Sequence, residues 1–277
     1  MLNLVDRVLG LKVLQAIAQQ DGMLGAIRER YFFTGQANIF TVFNIINLRY
    51  LYCGRLDGLG SILDFGCGYG RVTRWFCAAF PDARIFVTDI NRQGAEWCAA
   101  HLPCTAIDPE PLAGNFDLIW VGSVFTHLPT LRAEALLERL LAALRPDGVL
   151  ALTIHGRAVG FRMEGYDWQN DRNPRLHFGL SRERFERMME DYRHTGYGYA
   201  DYSGQVDYGM CVASPSWYEE RVLRSKEFVQ ILFQERADNA QDVLAFMRAG
   251  FKLTAWRSLF GSDKADAFSD LHPSKVP

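Results

Sequence analysis

The chain has 277 residues, 49% of them hydrophobic and 22% charged, with 24 Gly and 10 Pro. That composition excludes disordered, collagenous and low-complexity chains and suits one large globular domain with additions. A formal net charge of −2 gives no global basic field for DNA, RNA or an anionic membrane.

The six cysteines (Cys53, Cys67, Cys77, Cys98, Cys104, Cys211) form no Cys-x-x-Cys pair and no zinc-module spacing. We therefore expect no metal, and reduced thiols in a cytoplasmic protein. No run approaches the roughly 18 apolar residues of a membrane helix. The start, Met1 to Arg7, already carries charges, unlike a signal peptide.

Residues 1–58 read as a helical extension. Leu4, Val8, Leu11, Leu14 and Ala18 recur at three- and four-residue spacing, one apolar helix face that stops at Asp21-Gly22. A second apolar stretch, 39–51, follows Gly35. From 61 to 155, short apolar runs (61–65, 84–88, 116–122, 148–154) alternate with helical stretches (71–80, 91–101, 130–144). Phe80-Pro81-Asp82, Leu102-Pro103 and Arg145-Pro146-Asp147-Gly148 read as the turns between them. This rhythm predicts a parallel sheet with crossover helices and strands buried on both faces. The pattern breaks over 156–212, rich in Arg, Tyr, Gly and Asp, which predicts a lid inserted after the fifth strand, with one helix at 181–192. The sheet then resumes, with a helix at 215–224 and strands at 227–234 and 242–248. Residues 59–255 are thus the expected core domain, and 261–277 a polar tail.

The strongest chemical signal is Ile62-Leu63-Asp64-Phe65-Gly66-Cys67-Gly68-Tyr69-Gly70-Arg71. A strand runs into three glycines at alternate positions, then into a helix. Glycine permits the sharp turn and lets a ligand approach the main chain. The helix start adds unpaired N–H groups. A dinucleotide site needs Gly-x-Gly-x-x-Gly, whose third glycine comes one residue later than here. A phosphate-cradling Walker loop needs Gly-Lys-Ser or Gly-Lys-Thr, which is absent. An acid at the strand end fits a ligand with an amino-acid part and an adenosine but no phosphates. Asp64 would meet the ammonium directly or through water.

These residues resemble the first motif of class I S-adenosylmethionine-dependent methyltransferases. The resemblance continues in order through Ile85-Phe86-Val87-Thr88-Asp89, Phe116-Asp117-Leu118-Ile119-Trp120, Ser123-Val124-Phe125-Thr126-His127-Leu128 and Leu144-Arg145-Pro146-Asp147-Gly148-Val149-Leu150. Tyr31-Phe32-Phe33-Thr34-Gly35-Gln36 and Asn239-Ala240-Gln241-Asp242-Val243 are similar to a bacterial subgroup of the family whose members act on sugars or cell-envelope glycans. The resemblance implies an α/β, Rossmann-like seven-stranded sheet with helices on both faces. Here the N-terminal helical extension and the insert after strand 5 are added to it. It also implies S-adenosyl-L-methionine as cofactor and S-adenosyl-L-homocysteine as product. Carried over residue by residue, Asp64, Phe65, Gly66, Cys67, Gly68, Tyr69 and Gly70 hold the methionine part. Asp89 accepts both ribose hydroxyls, and Ile90 lies against the adenine. The adenine amino group falls either to Asp108 or to a backbone amide near Ile107. Ser123, Phe125 and Tyr31 are further expected cofactor contacts, since aromatic faces attract a sulfonium.

Methyl transfer from a sulfonium is an in-line displacement, in which alignment and exclusion of water do most of the work. A hydroxyl acceptor gains from a general base. His155 and His127 are expected in that role, with His177 and Trp168 on the acceptor side. Each also has a structural reading, as a loop brace or a core residue. By elimination and by the subgroup resemblance, the acceptor is a small molecule or a glycan, methylated at oxygen, and not a nucleic acid. Two other classes stay open: a module that binds the cofactor without transferring methyl, and a nicotinamide-dependent oxidoreductase. The 13% aromatic content clusters in the extension and the insert, placed to cover a sulfonium and a ring-shaped acceptor.

Overall fold

The apolar runs become strands of one sheet in the computed structural model, which describes residues 4–53, 58–112, 114–167, 179–238 and 241–248. Trp168, His177 and the 261–277 tail lie outside the described residues. The strands are β1 (Ser61–Phe65), β2 (Arg84–Thr88), β3 (Thr105–Ala106), β4 (Phe116–Val121), β5 (Leu144–Ile154), β6 (Tyr197–Asp201), β7 (Gly209–Ala213), β8 (Phe228–Asp238) and β9 (Gln241–Arg248). Seven of them form a sheet in the order β3-β2-β1-β4-β5-β9-β8. The first five are parallel, and β9 runs antiparallel to both its neighbours. Strand order reverses between β1 and β4, so a crevice forms at their carboxyl ends, where ligands of such sheets bind.

The helices are α1 (Leu4–Leu9), α2 (Arg28–Cys53), α3 (Thr73–Ala79), α4 (Arg92–His101), α5 (Thr130–Ala142), α6 (Arg157–Glu164), α7 (Arg182–Thr195) and α8 (Pro215–Leu223). Strand residues point alternately to the two faces. Ile62, Leu118 and Trp120 join α2, α3 and α4 in one core, while Leu63, Ile119 and Val121 join α5 and α8 in the other. All five residues of β1 are buried, which explains a strand without polar alternation.

One buried acid sets the start of the sheet. Asp117 Oδ2 accepts from the backbone N–H of Gly60 (2.9 Å) and Ser61 (2.9 Å) and from Ser61 Oγ (3.2 Å), and Arg145 pairs with its other oxygen at 2.7 Å. Asp117→Ala strands the buried Ser61 amide, frees the part-buried Gly60 amide and unpairs Arg145, so stability should drop by about 2 kcal/mol, a melting temperature lower by about 4–8 °C. Thermal unfolding followed by circular dichroism measures it, and a change under one degree would refute the assignment.

Several elements differ from the sequence expectation. The apolar face from Leu4 to Ala18 is helical only over Leu4–Leu9. Beyond Gly10 the carbonyls of Leu14 and Ala16 accept from Arg74 instead of from helix amides. In turn α2 starts at Arg28 and runs through Gly35, because a Cβ there would lie 2.4 Å from Trp75 Nε1 and from the Arg71 carbonyl oxygen. The glycine allows α2 to lie against α3. Arg145 to Gly148 is no turn: β5 begins at Leu144 and runs on after a register shift, with Asp147 at φ +62°.

The insert is structured. α7 has Ser181 as its N-cap, accepting from Arg184 N, and Gly196 closes it at φ +76°. β6 and β7 pair antiparallel outside the main sheet. With α6 and α7 they enclose a small core of their own that includes Val159, Phe185, Met188, Met210 and Val212.

Candidate active site

The glycine loop after β1 is pinned to β2 by Gly66 N and Cys67 N, which both donate to the Thr88 carbonyl (2.8 and 3.1 Å). Gly66, Gly68 and Gly70 all have positive φ, +85°, +51° and +79°. Their surroundings differ. A Cβ on Gly66 would strike Val124, and one on Gly70 would strike Cys98, whereas around Gly68 nothing lies within 4 Å. Gly68 is therefore where a ligand can approach the backbone. Phe65, Cys67 and Tyr69 are buried around it, and the Tyr69 ring meets Trp97 edge-on.

Asp64, at the end of β1, is 2% exposed and accepts from Thr73 Oγ1 at 2.6 Å. Burial pushes its carboxyl up to about 7, assisted by the charge of Asp89 and opposed by the Thr73 hydrogen bond and by Arg71. Asp89 follows β2 and is half-buried. Its Oδ2 accepts from Gly68 N and its Oδ1 from Asn91 N, each at 2.7 Å. A carboxylate has about four acceptor sites, so two remain for hydroxyl donors. Ile90 beside it is 97% exposed, an apolar surface with no partner in the core.

Near β3, Asp108 is exposed and lies 3.8 Å from the Arg92 guanidinium. The Ile107 N–H already donates to the Val87 carbonyl (2.9 Å), which leaves Asp108, or an amide beyond Ile107, to meet an adenine. Ser123 has φ +59°, a strained conformation for a residue other than glycine. It is held there by its N–H to Thr153 Oγ1 (2.7 Å) and by Gln241 Nε2 to its Oγ (3.0 Å). Thr153 and Gln241 carried no signal in the sequence beyond Gln241's place in a resembling segment. Phe125 is fully buried and meets Tyr218 edge-on, so it fills the core beneath its loop. Tyr31 is also buried, and its hydroxyl donates to Asp21 Oδ2 at 2.7 Å.

His127 and His155 share an arrangement. His127 Nδ1 lies 2.9 Å from the Gly209 carbonyl and His155 Nδ1 lies 3.1 Å from the Cys211 carbonyl. Alternate carbonyls of β7 thus seat both rings. Carbonyls only accept, so each neutral ring carries its proton on Nδ1 and keeps the Nε2 lone pair. Burial lowers both: His127 falls below the usual imidazole value, and His155 is pushed down to about 4, with the charges of His127 and Arg162 adding to the shift. Tyr202 and Tyr208, on the turn between β6 and β7, pack beside the His127 ring. Neither tyrosine carries a signal in the sequence beyond its place in the Tyr-rich insert.

A parallel sheet in this order, closed by an antiparallel β9, with a glycine loop after β1 and an acid after β2, defines the Rossmann-like fold of class I methyltransferases. A family model described as a methyltransferase domain matches residues 42–193. The chain belongs to that family, the class I S-adenosylmethionine-dependent methyltransferases, and S-adenosylmethionine is the cofactor of the class. Over 111 residues it is 32% identical to a trans-aconitate 2-methyltransferase of Paracidovorax citrulli, a match covering 35% of this chain and 39% of that one. Over 109 residues it is 31% identical to a malonyl-[acyl-carrier protein] O-methyltransferase of Acetivibrio thermocellus, covering 37% and 36%. The chain therefore matches little more than a third of the length of these relatives. In structure it is similar to an S-adenosylmethionine-dependent methyltransferase of Clostridium acetobutylicum, with TM-score 0.51 at 11% identity, covering 83% of this chain and 96% of that one. This likeness is one of fold.

The open backbone at Gly68, the two spare acceptor sites of Asp89 and the bare face of Ile90 fit that cofactor, respectively at its amino-acid part, its ribose and its adenine.

Proposed function

We propose that the chain transfers methyl from S-adenosylmethionine to a hydroxyl oxygen of a small-molecule or glycan acceptor, with His127 as the general base. The observation that carries this reading is the pair of neutral imidazoles seated on β7 at the carboxyl edge of the sheet. The name of the malonyl-[acyl-carrier protein] O-methyltransferase supports oxygen as the methylated atom. When bound, the cofactor supplies an electrophilic methyl on a sulfonium. The chain's own residues do the rest. Asp64 and the glycine loop hold the amino-acid end, Asp89 holds the ribose, and the loop from Ser123 to His127 borders the reacting atoms. His127, whose ring lies at the end of the loop after β4 with its Nδ1 held by the Gly209 carbonyl, suits proton removal through Nε2. His155, pushed down to about 4 by burial, stays neutral through the physiological range beside it. In this reading residues 59–255 are the transferring domain and 156–212 cover the acceptor. The six free cysteines favour the reducing cytoplasm, and no helix among the described residues is long and apolar enough to cross a membrane.

The test uses methyl-labelled S-adenosylmethionine and a panel of hydroxylated small molecules and glycans. His127→Ala should lower turnover about 10²- to 10⁴-fold with S-adenosylhomocysteine affinity unchanged. Turnover of the native chain should hold level at neutral pH and fall as acid protonates His127 below its lowered value. Equal turnover in the variant removes His127 as base. Cofactor binding without labelling of any acceptor would instead indicate a binding module.

A further inference from the structure

Arg74, on α3, is 1% exposed, and among the described residues its guanidinium has no ion pair. Burying a cation costs several kcal/mol unless other groups compensate, so its partners explain its place. Nε donates to the Gly70 carbonyl (2.8 Å) and Nη2 to the Tyr69 carbonyl (3.3 Å). Nη1 donates to the carbonyls of Leu14 (2.7 Å) and Ala16 (2.8 Å). Nη2 also donates to the Tyr31 hydroxyl (3.3 Å), which in turn donates to Asp21. The Tyr31 and Phe32 rings face the guanidinium at 5.2 and 5.5 Å, adding cation–π attraction. One side chain thus grips two segments about 60 residues apart: the glycine loop, and the irregular strand of chain between α1 and α2. The second segment forms no helix where its carbonyls are taken by Arg74.

We propose that Arg74 is a positioning residue that couples docking of residues 10–27 to the shape of the cofactor loop. With the segment docked, the guanidinium holds the Tyr69 and Gly70 carbonyls, and with them the neighbouring Gly68 backbone that is open to a ligand. The coupling rests on the cofactor site proposed above. Because coupling between two equilibria is reciprocal, a bound cofactor holds the segment in place as firmly as the segment holds the loop. Tyr31 then acts on the cofactor through Arg74, and Asp21 acts through Tyr31.

The experiment measures S-adenosylhomocysteine affinity by calorimetry, together with amide hydrogen exchange over residues 10–27 with and without that ligand, in the full chain. In the native protein the ligand should slow exchange across 10–27 several-fold. Tyr31→Phe keeps the ring and removes the hydroxyl link; it should weaken binding about threefold to tenfold and reduce the protection. Arg74→Lys keeps the charge but not the fork; it should weaken binding further, and raise KM for the cofactor more than it lowers kcat. If Arg74→Lys fails to fold, Tyr31→Phe and Asp21→Asn carry the test. A merely structural role would lower the melting temperature and leave both affinity and ligand-induced protection as in the native chain, which overturns the proposal. Binding by the native chain with exchange over 10–27 unchanged also overturns the coupling, and it alone. Absence of binding by the native chain overturns the cofactor site and the coupling with it.

Discussion

Asp89→Ala should weaken S-adenosylhomocysteine binding by about two orders of magnitude. Two losses add up. The carboxylate in the native site would accept two ribose hydroxyls, and hydrogen bonds to a charged group contribute about 1.5–3 kcal/mol each. Every 1.4 kcal/mol is about tenfold in affinity, so about 3 kcal/mol already gives the hundredfold change. The second loss is inside the protein. Oδ2 and Oδ1 accept from the N–H groups of Gly68 and Asn91, so alanine also frees the loop at its one open glycine. Asp89→Asn keeps a single acceptor oxygen and should fall between native and alanine. Calorimetry measures all three proteins. Asp89 is half-buried and outside the sheet, so thermal unfolding should change little, which separates a lost site from a lost fold. An alanine variant that binds within about threefold of native would show that the ribose is held elsewhere.

How far the sequence reaches depends on the range of the interactions. β1, β2, β4 and the crossover helices were legible because strands buried on both faces are apolar throughout and are bounded by Pro and Gly turns. The glycine loop was legible because positive φ at alternate positions admits few other residues. Residues 10–27 were not legible. Their apolar spacing satisfies a helix, but the Leu14 and Ala16 carbonyls are claimed by Arg74, about 60 residues away. The hint was Arg74, the one charged residue of the short helix Thr73–Ala79 and buried among its neighbours. Gly198 and Gly209 made β6 and β7 look like loop. Each glycine is needed because another backbone crosses its open side: a Cβ would lie 2.1 Å from the Met188 carbonyl oxygen at Gly198 and 2.0 Å from that of Ala200 at Gly209. Glycine inside a strand often marks such an approach. With β7 unseen, the positions of His127 and His155 near the sheet edge could be read from sequence, but not their shared seat. The aromatic residues show a different limit. Tyr31, Tyr69 and Phe125 are expected beside the cofactor, and all three are buried; the sequence does not separate a ring that packs the core beneath a loop from one that lines a site above it.

Affinity for S-adenosylhomocysteine should rise about tenfold per pH unit from pH 5 to about 7, then level off. Asp64 is the cause. Burial first, then the charge of Asp89, raises its carboxyl from 3.8 to about 7, against the Thr73 hydrogen bond and Arg71. Its proton is thus held more tightly in the folded chain than in the unfolded one. Stability contributed by this group is full below its unfolded value and declines as pH rises toward about 7. The ligand's ammonium reverses the preference, since a nearby cation favours the carboxylate. Binding below about pH 7 must therefore expel a proton, and each unit of acidity costs tenfold. At pH 7 about half a proton should be released, which appears as a calorimetric enthalpy that differs between buffers of different ionisation heat. His155, pushed down to about 4, does not titrate in this window. Asp64→Asn cannot ionise, so its affinity should be flat from pH 5 to 8 and weaker than native at pH 8. A flat native profile would place the ammonium away from Asp64, leaving the glycine loop alone to hold the amino-acid end.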